Sequence, residues 1–149
     1  VPKRSKKKKI DPNKLDNTVA GGGSAGETIF QALLREGYEE AALKKNVLIN
    51  AKQFGTINYL WRNKKYTLRR DTLFVFDLKL KKNIIPINKD GEVRNFKLYD
   101  CDQIRKKIVS TNEFKKNCAL VLAKFLIYKG LINSKNEKNY EEICRNLWI

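Results

Sequence analysis

Between Thr28 and Ala42 the apolar positions return with a helical period. Ile29, Leu33, Gly37 and Ala41 form one stripe at spacing four, with Phe30 and Leu34 beside it. The segment therefore predicts an amphipathic helix whose stripe faces a core. Gly37 on that stripe predicts a close approach to the sheet, at about 1 kcal/mol of intrinsic helix propensity. Upstream, Val1–Ser5 reads as the end of a strand entering a basic loop, and Asp11-Pro12-Asn13 marks a turn. Leu15–Ala20 reads as a short strand delivering Gly21-Gly22-Gly23 and a loop to Gly26. Phe54–Trp61 and Thr72–Leu80 alternate or run apolar around a polar connection, Asn63–Arg70, which predicts a long hairpin. Pro86 and Asp90-Gly91 interrupt the chain before another short strand, Val93–Leu98. Asp102 is placed to cap a helix over about Gln103–Val109. A stronger helix follows over about Asn117–Lys129, burying Leu120, Leu122, Phe125 and Leu126 and ending at Gly130. Tyr140–Leu147 closes the pattern as a terminal helix. The sum is an α/β protein of the α+β kind: a mixed sheet sandwiched by helices, with no internal repeat. Residues 1–149 read as one domain with a helical segment from about 102 to the end.

Composition narrows the chemistry. The 149 residues are 42% hydrophobic and 32% charged, a globular balance. No apolar run approaches the roughly 20 residues that span a bilayer. The chain opens at Val1 with a basic run and no methionine, so no secretory signal is read there, and a longer or processed protein is expected. Cys101, Cys118 and Cys144 are widely spaced and odd in number, which argues for reduced thiols in an intracellular, cytoplasmic protein over a disulfide frame. There is no histidine, which excludes Ser-His-Asp and Cys-His mechanisms. Acid–base work falls to carboxylates, lysine, tyrosine or water held by a metal. The net charge of +16 concentrates at the start, in Lys3, Arg4 and Lys6 to Lys9. Such a run is either a solvated loop or an attractor for phosphorylated molecules.

Against that basic background, Glu36, Glu39 and Glu40 stand at i, i+3 and i+4, on one face of the predicted helix. Their mutual repulsion costs a few tenths of a kcal/mol per pair, roughly, and a hard divalent cation reverses the sign. The spacing is more specific than the charge. Gly21, five residues, Glu27, seven residues, Arg35-Glu36, then Glu39-Glu40 and Leu43 resemble the Nudix box, G-x5-E-x7-R-E-U-x-E-E-x-G-U with U apolar, over residues 21–43. Gly37 stands where the box has an apolar residue, and Ala42 where it has its late glycine. These departures fall on helix packing and the helix exit.

The resemblance extends beyond the box to one subfamily, the Nudix domain found beside fungal thiamine pyrophosphokinase and in related stand-alone fungal and plant proteins. It is carried by Val1–Ser5, Lys14–Gly22, Glu39-Glu40-Ala41, Asp90-Gly91-Glu92-Val93, Phe114–Val121, Phe125–Ile132 and Tyr140–Leu147. It implies a Nudix fold with a further strand upstream of Val1. It also implies a Mg²⁺-dependent hydrolase, with Mn²⁺ as a substitute, acting on thiamine diphosphate and preferentially its oxidised derivatives. The products are the monophosphate and inorganic phosphate, as metabolite repair. Glu36, Glu39 and Glu40 are then the metal carboxylates, joined by the backbone carbonyl around Ala20–Gly21. Glu36, Glu40, Arg35 and Glu92 are the candidate catalytic residues, and Glu27 supports them from behind. Arg4, Lys9 and Lys14 are candidates for phosphate contacts. Tyr59 and Trp61 offer rings for stacking but equally suit a sheet face, and Asn117 and Cys118 suit capping and packing. Two other readings stay open: a Nudix hydrolase of another nucleoside diphosphate derivative, and a non-catalytic RNA-binding Nudix module. The intact acidic set favours a small-molecule diphosphate over nucleic acid. Oligomeric state is not legible.

Overall fold

The computed structural model describes residues 1–62 and 67–148. The backbone separates into two compact units, Val1–Ala51 with Leu78–Ala119, and Lys52–Asp77 with Leu120–Ile149. In the first, strand β1 (Pro2–Arg4) pairs antiparallel with β4 (Val93–Phe96), Pro2 opposite Phe96 and Arg4 opposite Val93. Leu15 bridges antiparallel to Lys3 and parallel to Phe114, so the extended segments here have mixed directions. The strand expected over Leu15–Ala20 thus reduces to its first residue. The cause is local: Asp16 turns its carboxylate inward, and the Ala20 amide donates to Glu40 at 2.7 Å and not to a strand neighbour.

Helix α1 (Ile29–Ala41) follows the glycine-rich loop, and α2 (Lys45–Leu48) is a single turn that no apolar period announces. Ala41, Leu43 and Leu48 form the buried cluster, covered by Val19, Leu34, Leu78, Leu80, Ile84 and Phe96. The buried face of α1 is Ala32, Gly37 and Ala41, while Ile29 and Phe30 are exposed, because the cluster covers the C-terminal half of the helix. Gly37 serves close approach as expected, but to α2 and not to the sheet. A Cβ there would lie 2.7 Å from Leu48 Cδ1. Leu48 fills the space that an apolar side chain at 37 would take. Helix α3 (Cys101–Ser110) is capped by Asp100 and not by Asp102. Asp100 accepts from the Gln103 amide at 2.7 Å, and Gln103 reaches back to the Asp100 amide at 3.2 Å. That reciprocal pair requires the glutamine three residues on.

In the second unit, β2 (Lys52–Arg62) and β3 (Leu68–Asp77) form the expected antiparallel hairpin, in register from Lys52–Asp77 to Arg62–Leu68. Residues 63–66 of the expected connection lie outside the described residues. β3 ends before Leu78, since Leu78 and Leu80 turn into the core of the first unit. A bulge falls at Gln53/Gly55, where Gly55 takes φ +142° and a Cβ would meet Lys124 Cε at 2.9 Å. Lys124, on helix α4 (Lys116–Tyr128), is buried and donates to the Thr56 carbonyl at 2.8 Å. Of the expected buried positions on α4, Leu126 is fully buried; Leu120, Leu122 and Phe125 are half-buried. Gly130 ends the helix at φ +70°. Helix α5 (Tyr140–Trp148) packs on β2. Among the described residues no helix is long and apolar enough to cross a membrane.

Candidate active site

The start of α1 is set by Thr28, which accepts from the Gln31 amide while Gln31 reaches back to the Thr28 amide at 2.8 Å. This capping box leaves Glu27 in the loop, facing back to the helix. Glu27 takes the Ser24 amide at 3.0 Å and both arms of Arg35, Nε at 3.0 Å and Nη2 at 2.9 Å. Arg35 Nη1 also donates to Glu36 at 2.7 Å and Glu39 at 3.3 Å, and Nη2 to the Gly22 carbonyl at 2.9 Å. One guanidinium therefore ties loop, helix and three carboxylates together, with the planar fork that lysine lacks. The paired guanidinium holds the Glu27 carboxyl down at about 2. The same carboxylates push Arg35 well above the ordinary arginine range.

Gly21 is required by space. A Cβ at 21 would fall 1.8 Å from Glu36 Cδ, so the Glu36 carboxylate occupies the side-chain position that the glycine leaves empty. At the other end of α1, Ala42 takes φ 54°, ψ 25°, the left-handed exit that the box assigns to glycine. Its amide still closes on Gly37 and Tyr38, and the alanine costs about 1 kcal/mol there.

The exit leads to a second source of carboxylates. The Ile87 amide donates to the Ala41 carbonyl at 3.0 Å, and Lys89 Nζ lies 3.5 Å over the Tyr38 ring, fixing the segment against α1. The turn that follows is closed by Asn88 accepting from Gly91 at 3.0 Å and Asp90 from Glu92 at 2.8 Å, with Gly91 at φ +78°. It brings carboxylate oxygens of Asp90 and Glu92 within 4.8 Å of each other and of Glu40. Burial raises the Glu40 carboxyl to about 7, and the negative charges of Glu36, Asp16 and Asp90 add to that rise against the Ala20 amide.

A carboxyl whose pKa is raised by folding takes up a proton as the chain folds. Without metal, stability contributed by this group is present below about pH 4.5 and is lost as pH rises to about 7. A divalent cation binds the ionised form, so its affinity should fall about tenfold per pH unit below 7. Melting curves should show Mg²⁺ raising the Tm more at pH 8 than at pH 5.5. Equal gains at both would remove Glu40 from the cation's ligands.

The structure does not bring every sequence candidate to this cluster. Glu39 is half-exposed on Arg35. Arg4 spends its guanidinium on Asp16 at 2.5 Å and on the Ile10 and Asp11 carbonyls at 3.0 and 3.1 Å. Lys14 donates to the Asn112 carbonyl, and Lys9 is exposed. Cys118 and Asn117 meet each other at 3.4 Å, and Cys118 donates to buried Asp16, a packing role. Tyr59 donates to Asp71 at 2.7 Å across the hairpin of the second unit. Two groups at the cluster were not singled out from sequence. Asp90 is one, though its place two residues before Glu92 in the same turn was a signal. Lys8 is the other: its ammonium sits 2.5 Å from Glu92 Oε2.

The sequence profile of the NUDIX domain matches residues 1–118. The chain belongs to the Nudix family. Its relatives include an uncharacterised protein of Saccharomyces cerevisiae, 40% identical over 99% of this chain and 46% of that protein. Two proteins of Arabidopsis thaliana join it. Nudix hydrolase 24, chloroplastic, is 36% identical over 99% of this chain and 40% of its own length. Nudix hydrolase 20, chloroplastic, is 38% identical over 91% and 36%. The chain spans less than half the length of these relatives. Nudix hydrolases need a divalent ion such as Mg²⁺, and the donor set fits one. Glu40, Asp90 and Glu92 converge with hard oxygens only, Glu36 adds its charge to theirs, and Glu40 is penalised for its charge until a cation offsets it.

Proposed function

We propose that this Nudix domain hydrolyses a diphosphate, and that the substrate is thiamine diphosphate, preferentially in oxidised form. The observation that carries the first part is the convergence of Glu40, Asp90 and Glu92 at the end of a box helix whose Arg35 and Gly21 are in place. The thiamine assignment rests on the subfamily segments from Val1–Ser5 to Tyr140–Leu147.

Glu36, Glu40 and Asp90, with the carbonyl around Ala20–Gly21, would hold Mg²⁺. Glu39, which accepts from Arg35 at 3.3 Å, stands outside the Glu40, Asp90 and Glu92 set. When bound, the cation neutralises the diphosphate and acidifies the attacking water. Glu92, half-buried in the same turn as Asp90 and beside Glu40, would take the proton of the water as it attacks the terminal phosphorus. The bridging P–O bond breaks, and the electron pair leaves with the monophosphate. Arg35 keeps Glu36 and Glu27 fixed through this change and touches no reacting atom. Phosphate release should be fastest with oxothiamine and oxythiamine diphosphates, slower with thiamine diphosphate, and at least tenfold slower with ADP-ribose and nucleoside triphosphates, a gap within reach of pocket contacts. A panel without preference for the thiamine set would sink the substrate and leave the reaction class standing.

A further inference from the structure

The basic run after β1 has a defined relation to the acidic cluster, and one of its lysines enters it. The Ser5 amide donates to the Glu92 carbonyl at 2.8 Å, so the loop leaves the sheet beside the acidic turn. Arg4 then grips the Ile10 and Asp11 carbonyls, which folds the loop back on itself. Lys6, Lys7 and Lys9 are exposed. Lys8 is half-buried, with its ammonium 2.5 Å from Glu92 and therefore at the edge of the Glu40, Asp90 and Glu92 set.

We infer that Lys8 is a substrate-positioning residue that binds the terminal phosphate, and that its pairing with Glu92 marks its resting position. The inference rests on the diphosphate reading above and adds a residue to it. In the resting protein the ammonium is the only cation recorded against these three carboxylates among the described residues, and it offsets part of their repulsion. A Mg²⁺–diphosphate brings both partners for an exchange. Glu40 and Asp90 would hold the cation, and the terminal phosphate would take the Lys8 ammonium within reach of its flexible stem. The swap conserves charge pairing and frees Glu92 as the proton acceptor while the phosphate is held. Lys8 thus opposes metal in the absence of substrate and favours binding when the diphosphate is present.

The two halves have opposite signs, which a merely structural ion pair would not give. In Lys8→Gln, Mn²⁺ binding without substrate, read by electron paramagnetic resonance, should tighten about threefold to tenfold. Methylenediphosphonate binding at saturating Mg²⁺, read by calorimetry, should weaken at least tenfold, and Lys8→Arg should restore most of it. Lys6→Gln should change neither. Unaltered Mn²⁺ affinity in Lys8→Gln overturns the resting role, and unaltered methylenediphosphonate affinity overturns the phosphate role. Because the probe carries no thiamine, the result is independent of the leaving group. A wild-type protein that does not bind it removes the diphosphate reading and this assignment together, whereas binding equal in wild type and Lys8→Gln removes only Lys8.

Discussion

Glu36→Gln and Glu40→Gln are each expected to lower turnover about a thousandfold while the protein stays folded, the scale of losing a preorganised charged group at a phosphoryl centre. The two substitutions should differ in stability. Glu36 is bound to Arg35 at 2.7 Å and lies against Gly21, so its neutral replacement weakens a charge-assisted bond and softens the loop. Glu40 carries burial and three repelling carboxylates, offset by one amide at 2.7 Å. A glutamine keeps the acceptor for Ala20 and sheds the charge. Metal-free Glu40→Gln should therefore melt higher than wild type at pH 8, and the difference should close below about pH 5. Phosphate release beside thermal melts checks both halves. Undiminished turnover in both variants would refute the metal assignment; lost turnover with lost folding would make the carboxylates structural.

That contrast shows what one strand of sequence makes legible. Glu36, Glu39 and Glu40 share a face through helical spacing alone, and Glu27 and Arg35 meet through a turn of loop and two turns of helix. These are short-range consequences of residue type. The link between α1 and the Asp90–Glu92 turn depends on Ile87 bonding to Ala41, a pairing that no local pattern encodes. Glu92 is legible through the family resemblance of its turn, whereas Asp90 reads as turn chemistry only. Both departures from the box proved structural, as their positions implied. Leu48 fills the space at Gly37, and Ala42 carries the left-handed exit. Arg4 and Lys14 suit a phosphate by charge alone, which says nothing of their partners. Asp16 and the Asn112 carbonyl claim those two cations, and Lys8, ranked no higher in sequence, is the one the loop turns toward Glu92.

Asp16→Ala should be the most destabilising single change outside the apolar core, by about 3 kcal/mol or more, the penalty of stranding a buried charge. Its carboxylate is 6% exposed and takes Arg4 at 2.5 Å, Cys118 Sγ at 2.6 Å and the Asn17 amide at 2.8 Å. Burial and this same carboxylate push the Cys118 thiol far up, which keeps it protonated as a donor. Those bonds join β1, the Leu15 bridge and the start of α4 within one unit, so their loss leaves the Arg4 guanidinium largely buried and without its anion. Urea unfolding of Asp16→Ala, Arg4→Met and the Asp16→Ala/Arg4→Met double variant separates stranding from packing. The double variant should be more stable than Asp16→Ala, since removing both charges removes the unpaired one. A loss under about 1 kcal/mol in Asp16→Ala, or a double variant as weak as the sum of the singles, would show that solvent already reaches this pair. The site responds as well. Asp16 is one of the charges that raise Glu40, so where Asp16→Ala remains folded its Mn²⁺ binding should reach half-strength at a lower pH than in wild type. A fold anchor and the proton affinity of the site thus meet in one buried carboxylate, and the two measurements read them apart.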